Sequence, residues 1–530
     1  MGITLSKEES ILIMCFNVQL HYFNLIQIFM RKALFSMSLL AAFVLTGCCQ
    51  KEEVKECPVL TITGGQVQGV AAENEGVYVF RGIPYAAPPI KDLRWKEPQP
   101  VVAWEGVMKA DKFGHPGYQS IQYPGGYFTE WGYGDEAPYS EDCLYLNVWT
   151  KAPGELNKKL PVALWIHGGG YREGFGSEPE FDGQEWASKD VVLVSINYRL
   201  GVFGFLTHPE LTAESPHGVS GNYGILDQIE SLKWIKENIA QFGGDPDNVT
   251  IFGQSAGGGS VRTICESPLA RGLFHKAVIM SAGGLNTASH RAPAPNLADS
   301  KVSPLEAAAN SNKEYLDWAG IDNLEKMRRT STEVMHTVAT IYDQVKGAGG
   351  PMGGFRFRYA PIVDGYCSLE SFDAAAQDGT LADIPYMMGY TLNDLGNMEE
   401  GMGLFAQNRV SIGNKCWTYQ FARPLPTDGR ENVLKGAFHS SDLWFVFKSL
   451  KHCWRPWTQG DWDLAEKMLT YWTNFAKYSN PNGPEDGEWT PCTKENPNFM
   501  IFKLDENDAE ASAMGTPLKG ESQAWANAAK

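Results

Sequence analysis

The chain has 530 residues, 43% of them hydrophobic, which is enough to bury a large core. Its formal net charge of −17, with no basic run of note after residue 47, excludes the electrostatic footprint of a nucleic-acid binder. Ten cysteines, at 15, 48, 49, 57, 143, 265, 367, 416, 453 and 492, lack zinc-like spacing and predict no metal site.

The N-terminal stretch reads as a targeting segment. Arg31 and Lys32 give a positive start, Ala33–Leu45 is apolar and of signal-peptide length, and Leu45-Thr46-Gly47-Cys48 resembles a bacterial lipoprotein box. That resemblance implies diacylation of Cys48 and a membrane partner reached through the lipid. Met30 reads as a better start than Met1, because residues 1–29 are interrupted by Asn17, Gln19, His21, Asn24 and Gln27. The linker Cys49-Gln50-Lys51-Glu52-Glu53 resembles the export tag of Bacteroidetes surface lipoproteins. An outer-membrane lipoprotein of the bacterial cell envelope, surface-exposed or facing the periplasm, is therefore expected. The chain divides into a leader at 1–47, an anchor and linker at 48–57, a body at 58–515 and a tail at 516–530.

From Val59 short β runs begin. Val77–Phe80 leads into Arg81–Pro89, read as a stiff proline-rich turn. Residues 115–140 form a glycine-rich loop whose aromatics, Tyr127 and Trp131 among them, either line a pocket mouth or pack on the body. Ser140–Trp149 reads as an alternating strand with a buried acidic start. Pro161–Ile166 is a continuous apolar run of the kind found in central parallel strands, and Val191–Ile196 is the next. Ile225, Ile229, Leu232 and Ile235 fall on one face of a helix over Asn222–Asn238. Leu273–Met280 is a further β run, so strands and helices alternate in the doubly wound α/β manner. The more helical, polar stretch 286–358 predicts a cap or gorge wall.

Two glycine turns carry the chemistry. Asp245–Asn248 reads as a turn, Val249–Phe252 as a strand, and Gly253-Gln254-Ser255-Ala256-Gly257 as a sharp elbow opening a helix. A phosphate loop would need a lysine that is absent here. Ser255 is the expected nucleophile, with the Ala256 amide aimed at developing negative charge. His167-Gly168-Gly169-Gly170 follows the Pro161–Ile166 strand, and the amides of Gly169 and Gly170 supply the other half of an oxyanion hole. His167 is assigned to positioning those glycines.

Phe242–Gly257 and Glu141–Trp149 resemble the two signatures of type B carboxylesterases, the family that includes cholinesterases, para-nitrobenzyl esterases and neuroligins. The likeness runs from about Val59 to about Leu504, with Lys151 where proline, glutamine or arginine is more usual. It implies an α/β-hydrolase fold, a central mostly parallel sheet flanked by helices with helical insertions as cap or gorge. It also implies a triad in the order Ser, acid, His. Gly436-Ala437-Phe438-His439-Ser440-Ser441-Asp442-Leu443 is similar to the family's histidine segment, so His439 is the expected base; His452 lacks the motif. Asp394 stands where the family carries a glutamate and is the expected acid, with Asp364 as competitor. Being one methylene shorter, it requires a loop closer to His439.

Further departures and carry-overs follow from the same resemblance. Arg94 with Glu141 and Arg199 with Asp227 should form buried ion pairs. Cys143 corresponds to a family disulfide cysteine, yet no cysteine between Cys57 and Cys143 closes the usual loop. Gln254 replaces the glutamate beside the serine of cholinesterases, and Trp131 lies in the loop of their choline-stacking tryptophan at a different spacing, so cation recognition is not favoured. The expectation is a serine carboxylic ester hydrolase acting on small to medium esters, without metal or organic cofactor. Its rivals are a non-catalytic neuroligin-like binding protein and a lipase of long-chain lipids.

Overall fold

The computed structural model describes residues 56–120, 126–131, 138–285, 302–346, 359–396 and 398–521. The signal-like stretch and Cys48 lie outside the described residues. In chain order the strands are β1 (Val59–Ile62), β2 (Gly65–Gln68), β3 (Val70–Ala71), β4 (Tyr78–Pro84), β5 (Val107–Lys109), β6 (Tyr145–Thr150) and β7 (Leu160–Ile166). They continue as β8 (Val192–Ile196), β9 (Gly244–Gln254), β10 (Lys276–Met280), β11 (Tyr386–Thr391), β12 (Cys416–Phe421), β13 (Phe499–Phe502) and β14 (Ala513–Gly515).

β1, β2 and β5 make a small sheet, and the others form an 11-stranded sheet in the order β14-β13-β12-β11-β10-β9-β7-β8-β6-β4-β3. From β8 to β13 every pairing is parallel, while the edges at β6, β4, β3 and β14 are antiparallel.

Alternation along the strands decides which side each residue packs on. Val162, Leu164 and Ile166 of β7 face one apolar core, which also receives Ile225, Ile229, Leu232 and Ile235. Those four lie on the helix Tyr223–Asn238, the helical face expected from their spacing. Ala163 and Trp165 face the opposite core, which is filled by Leu464, Met468, Trp472 and Phe475 of the helix Gln459–Tyr478. Both faces of β7 are therefore covered, and that is why its sequence is a continuous apolar run. β6 behaves in the same way: all its residues after Tyr145 are buried, so it does not alternate as expected.

Two strands run further than expected. β4 continues through Arg81 to Pro84, the start of the segment read as a turn, with a bulge between Phe80 and Ile83. Gly82 sits there at φ 68°, and a Cβ on it would lie 2.5 Å from the Lys112 carbonyl, so only glycine fits. β9 starts at Gly244 and extends through Asp245–Asn248, where pairing with β7 shifts register between Leu160 and Val162. β10 is shorter than its apolar run and starts at Lys276.

The inserted region is helical over Pro304–Trp318, Leu324–Arg329 and Thr332–Lys346. It is tied to the sheet by the first expected ion pair. Arg94 donates from Nε to Glu141 Oε2 at 2.7 Å, and its Nη1 donates to the carbonyls of Met327 and Thr330. Thr332 adds a 2.6 Å hydrogen bond to Glu141. The second pair also forms: Arg199 donates to both oxygens of Asp227, at 2.8 and 2.6 Å. The seven described cysteines are free thiols, with Cys57 and Cys143 both buried. No helix among the described residues is long and apolar enough to cross a membrane.

Candidate active site

The parallel strands end in register at one edge of the sheet: Ile166 pairs with Gly253, and Met280 pairs with both Gln254 and Gly389. The turns that follow are therefore neighbours. Ser255 sits between β9 and the helix Ala256–Glu266 at φ 56°, ψ −123°, a strained conformation costing on the order of 1–3 kcal/mol. Its amide donates to the Met280 carbonyl at 2.9 Å. The flanking glycines pack too closely to carry side chains. A Cβ on Gly253 would lie 2.6 Å from the Gly257 carbonyl carbon, and one on Gly257 would strike the carbonyl of Ile166. Gln254 and Ala256 are buried while Ser255 is half-exposed, so the hydroxyl is the accessible group of the elbow.

Gly168 rests against the serine, since a Cβ there would lie 3.1 Å from Ser255 Cβ. Gly169 and Gly170 follow at φ 96° and 63°, left-handed values that glycine takes readily. The glycine turn thus lies beside the N-terminus of the helix beginning at Ala256, whose first amides have no partner within the helix. His167 is 1% exposed and stacks on Tyr198 with ring centroids 4.4 Å apart. Burial pushes its imidazole down to about 4, so it is neutral and structural.

The loops bearing Asp394 and His439 meet through their backbones. Asn393 and Phe438, the residues just before them, form a parallel bridge, the Asn393 amide donates to the Ala437 carbonyl at 2.9 Å, and the Ala437 amide donates to Asn393 Oδ1 at 3.0 Å. Gly436, at φ 81°, leaves the room this requires, because a Cβ there would lie 2.6 Å from Asn393 Oδ1. With the loops bridged, the aspartate reaches the ring despite its shorter side chain: His439 Nδ1 is 2.6 Å from Asp394 Oδ1. The other Asp394 oxygen accepts from the Thr391 amide and hydroxyl, both at 3.1 Å. Burial alone would raise the Asp394 carboxyl. The charge and hydrogen bond of His439 and the Leu395 amide outweigh it and hold the carboxyl below its usual range.

On its other side, His439 Nε2 is 3.2 Å from the side-chain nitrogen of Gln254, the residue preceding Ser255. The competitors are elsewhere. Asp364 accepts amides from Tyr366, Cys367 and Ser368 and an Asn222 hydrogen bond, and so builds its own turn. His452 pairs with Asp182 at 3.0 Å.

The contacts of three further residues, Gln254, Tyr127 and Asp442, had no signal in the motifs. The Gln254 contact joins positions 185 apart. Tyr127 donates to the His439 carbonyl at 3.2 Å from the short helix Gly126–Trp131. That helix is held by a fully buried pair, Arg455 with Glu130, at 2.5 Å. Trp131 packs between Tyr127 and Trp444 and is 6% exposed, so it offers no open face to a cation. Asp442 is buried beside the ring and accepts the Tyr419 hydroxyl at 2.9 Å; burial raises its carboxyl to about 7. Among the described residues no group of three or more His, Cys, Asp or Glu could hold a metal ion.

The family model described as the carboxylesterase family matches residues 56–403 and 396–522, which together span the body from end to end. The chain belongs to the carboxylesterase family. The para-nitrobenzyl esterase of Bacillus subtilis is 38% identical over 519 residues, covering 87% of this chain and 99% of the relative. The fumonisin B1 esterase of Sphingopyxis macrogoltabida is also 38% identical, over 64% of this chain but only 55% of that protein's length. A carboxylesterase of Geobacillus stearothermophilus superposes with a TM-score of 0.66 at 30% identity, covering 86% of this chain and 97% of that one. The architecture is the α/β-hydrolase fold, and this carboxylesterase is a carboxylic ester hydrolase.

Proposed function

We propose that this enzyme hydrolyses small to medium carboxylic esters through an acyl-enzyme on Ser255, with His439 as base and Asp394 orienting it. The observation that supports the reading most is the chain of contacts from Asp394 through His439 to the residue beside the strained serine. His439 takes the Ser255 proton as the hydroxyl oxygen attacks the ester carbonyl. The amides of Gly169, Gly170 and Ala256 hold the resulting oxyanion, each donor contributing about 3 kcal/mol to the barrier reduction. The imidazolium then protonates the departing alcohol. Water, deprotonated by the same ring, releases the acid and restores the serine. Asp394 stays ionised throughout and stabilises the imidazolium.

An organophosphonate ester tests this. Stoichiometric labelling at Ser255 with loss of hydrolysis is expected, and an inert Ser255 would favour a non-catalytic binding protein. A sharp rate increase on substrate micelles would instead make the enzyme a lipase. The lipoprotein-like box supports a second element of the proposal, anchoring through Cys48 to a bacterial outer membrane. Metabolic labelling with a fatty acid should mark the wild type and not Cys48→Ala; label persisting in the variant places the anchor elsewhere.

A further inference from the structure

The carboxamide of Gln254 has no part in the proton transfers above, yet it is 2% exposed and its nitrogen lies 3.2 Å from His439 Nε2. The hydrogens in this contact are dictated from the far side of the ring. Asp394 is a carboxylate and can only accept, so the 2.6 Å contact makes Nδ1 the protonated nitrogen of the neutral ring. Nε2 then carries a lone pair alone, and the group facing it must be a donor, the amide NH2 of Gln254. That lone pair is the one that must receive the Ser255 proton.

We propose that Gln254 is a positioning residue that sets the proton affinity of His439: its N–H holds the resting Nε2 lone pair and favours the neutral ring. The inference rests on the reading of Ser255 and His439 as nucleophile and base. Once Nε2 is protonated, an amide N–H opposite it would set two donors against each other. Gly168 leaves the amide space, since a Cβ there would lie 3.1 Å from Gln254 Oε1. A glutamate at 254 has no donor and favours the charged ring at all times.

The other titratable groups around the ring are the same whichever residue occupies 254. They are Asp394 after β11, Asp442 on the histidine's own segment, and Tyr419 on β12 behind it. The helix Gly126–Trp131 contributes Tyr127 and the Glu130–Arg455 pair. A change in the pH profile on substitution of Gln254 therefore reports on this contact.

The test is the pH dependence of kcat/KM for para-nitrophenyl acetate, from about pH 5 to about pH 9, in wild type, Gln254→Met and Gln254→Glu. The acid limb should move upward in both variants, by about 1 pH unit or more for Gln254→Glu and by less for Gln254→Met. Lower activity in both with an unmoved limb means that Gln254 only fills space, and overturns the inference. His439→Ala separates the two claims. If it turns over like wild type, the base itself is misassigned. If it is inactive while the limb stays fixed in the Gln254 variants, only the role of Gln254 fails.

Discussion

Asp394 and Asp364 are both carboxylates in tight turns, and their hydrogen-bond partners assign them different work. Asp394 gives one oxygen to Thr391 and the other to His439 and the Leu395 amide, whereas Asp364 gives one oxygen to three successive amides of its own loop. Asp394→Asn should lower kcat by roughly 10³–10⁴ with little change in stability, because the amide favours the wrong tautomer of His439. Asp364→Asn should leave kcat near wild type and lower stability by about 1–3 kcal/mol. Steady-state kinetics and urea unfolding of the pair check this, and equal kcat losses would contradict it. The meeting of Asp394 with His439 was legible because both stand in segments that resemble the family's. The Gln254 and Tyr127 contacts were not legible, since nothing local links residues that meet only when the loops close over the sheet edge.

Asp442 adds a pH dependence to stability. Its folded carboxyl is raised to about 7 from an ordinary value of 3.8, chiefly by burial. The folded state therefore keeps a proton that the unfolded chain has released, so stability from this group is complete below the unfolded value and is lost as pH rises toward about 7. Asn mimics the protonated form. The stability of Asp442→Asn relative to wild type should rise by about 1.4 kcal/mol per pH unit across that window and level off above it. Urea unfolding over the window checks this, and a difference that stays flat would show that Asp442 is ionised in the fold.

At the scale of elements, the inserted helices are held by polar contacts as well as by packing. Arg94 reaches both the Glu141 carboxylate before β6 and the carbonyls that end Leu324–Arg329. Arg94→Met would leave Glu141 buried with its Thr332 hydrogen bond but without the arginine, and should cost about 3–5 kcal/mol. The double variant Arg94→Met/Glu141→Leu should recover most of that loss by urea unfolding; no recovery would mean that Arg94 acts mainly through the helix carbonyls. The helix Tyr223–Asn238 was readable because its apolar residues recur at helical spacing and all land in one core. β4 and β9 were misjudged at their ends because glycine, proline and aspartate signal turns, while a bulge at Gly82 and a register shift opposite Asp245–Asn248 keep these segments in the sheet. The Glu130–Arg455 pair had no sequence signal, being 325 positions apart.

For the whole molecule, the parallel order from β8 to β13 brings the ends of β7, β9 and β11 to one edge, and the loop after β12 closes back onto them. Residues distant in the chain thus converge without any element being unusual in itself. A net charge of −17 disfavours anionic partners. The convergence matters chemically only if Ser255 carries the acyl group between the two halves of the reaction. Rapid mixing with a para-nitrophenyl ester, followed by an acid quench and peptide mass analysis, measures this directly. The account predicts an acyl group on the Ser255 peptide, formed no more slowly than turnover and absent from Ser255→Ala. Turnover by a fully active enzyme whose Ser255 never acquires the acyl group would contradict it.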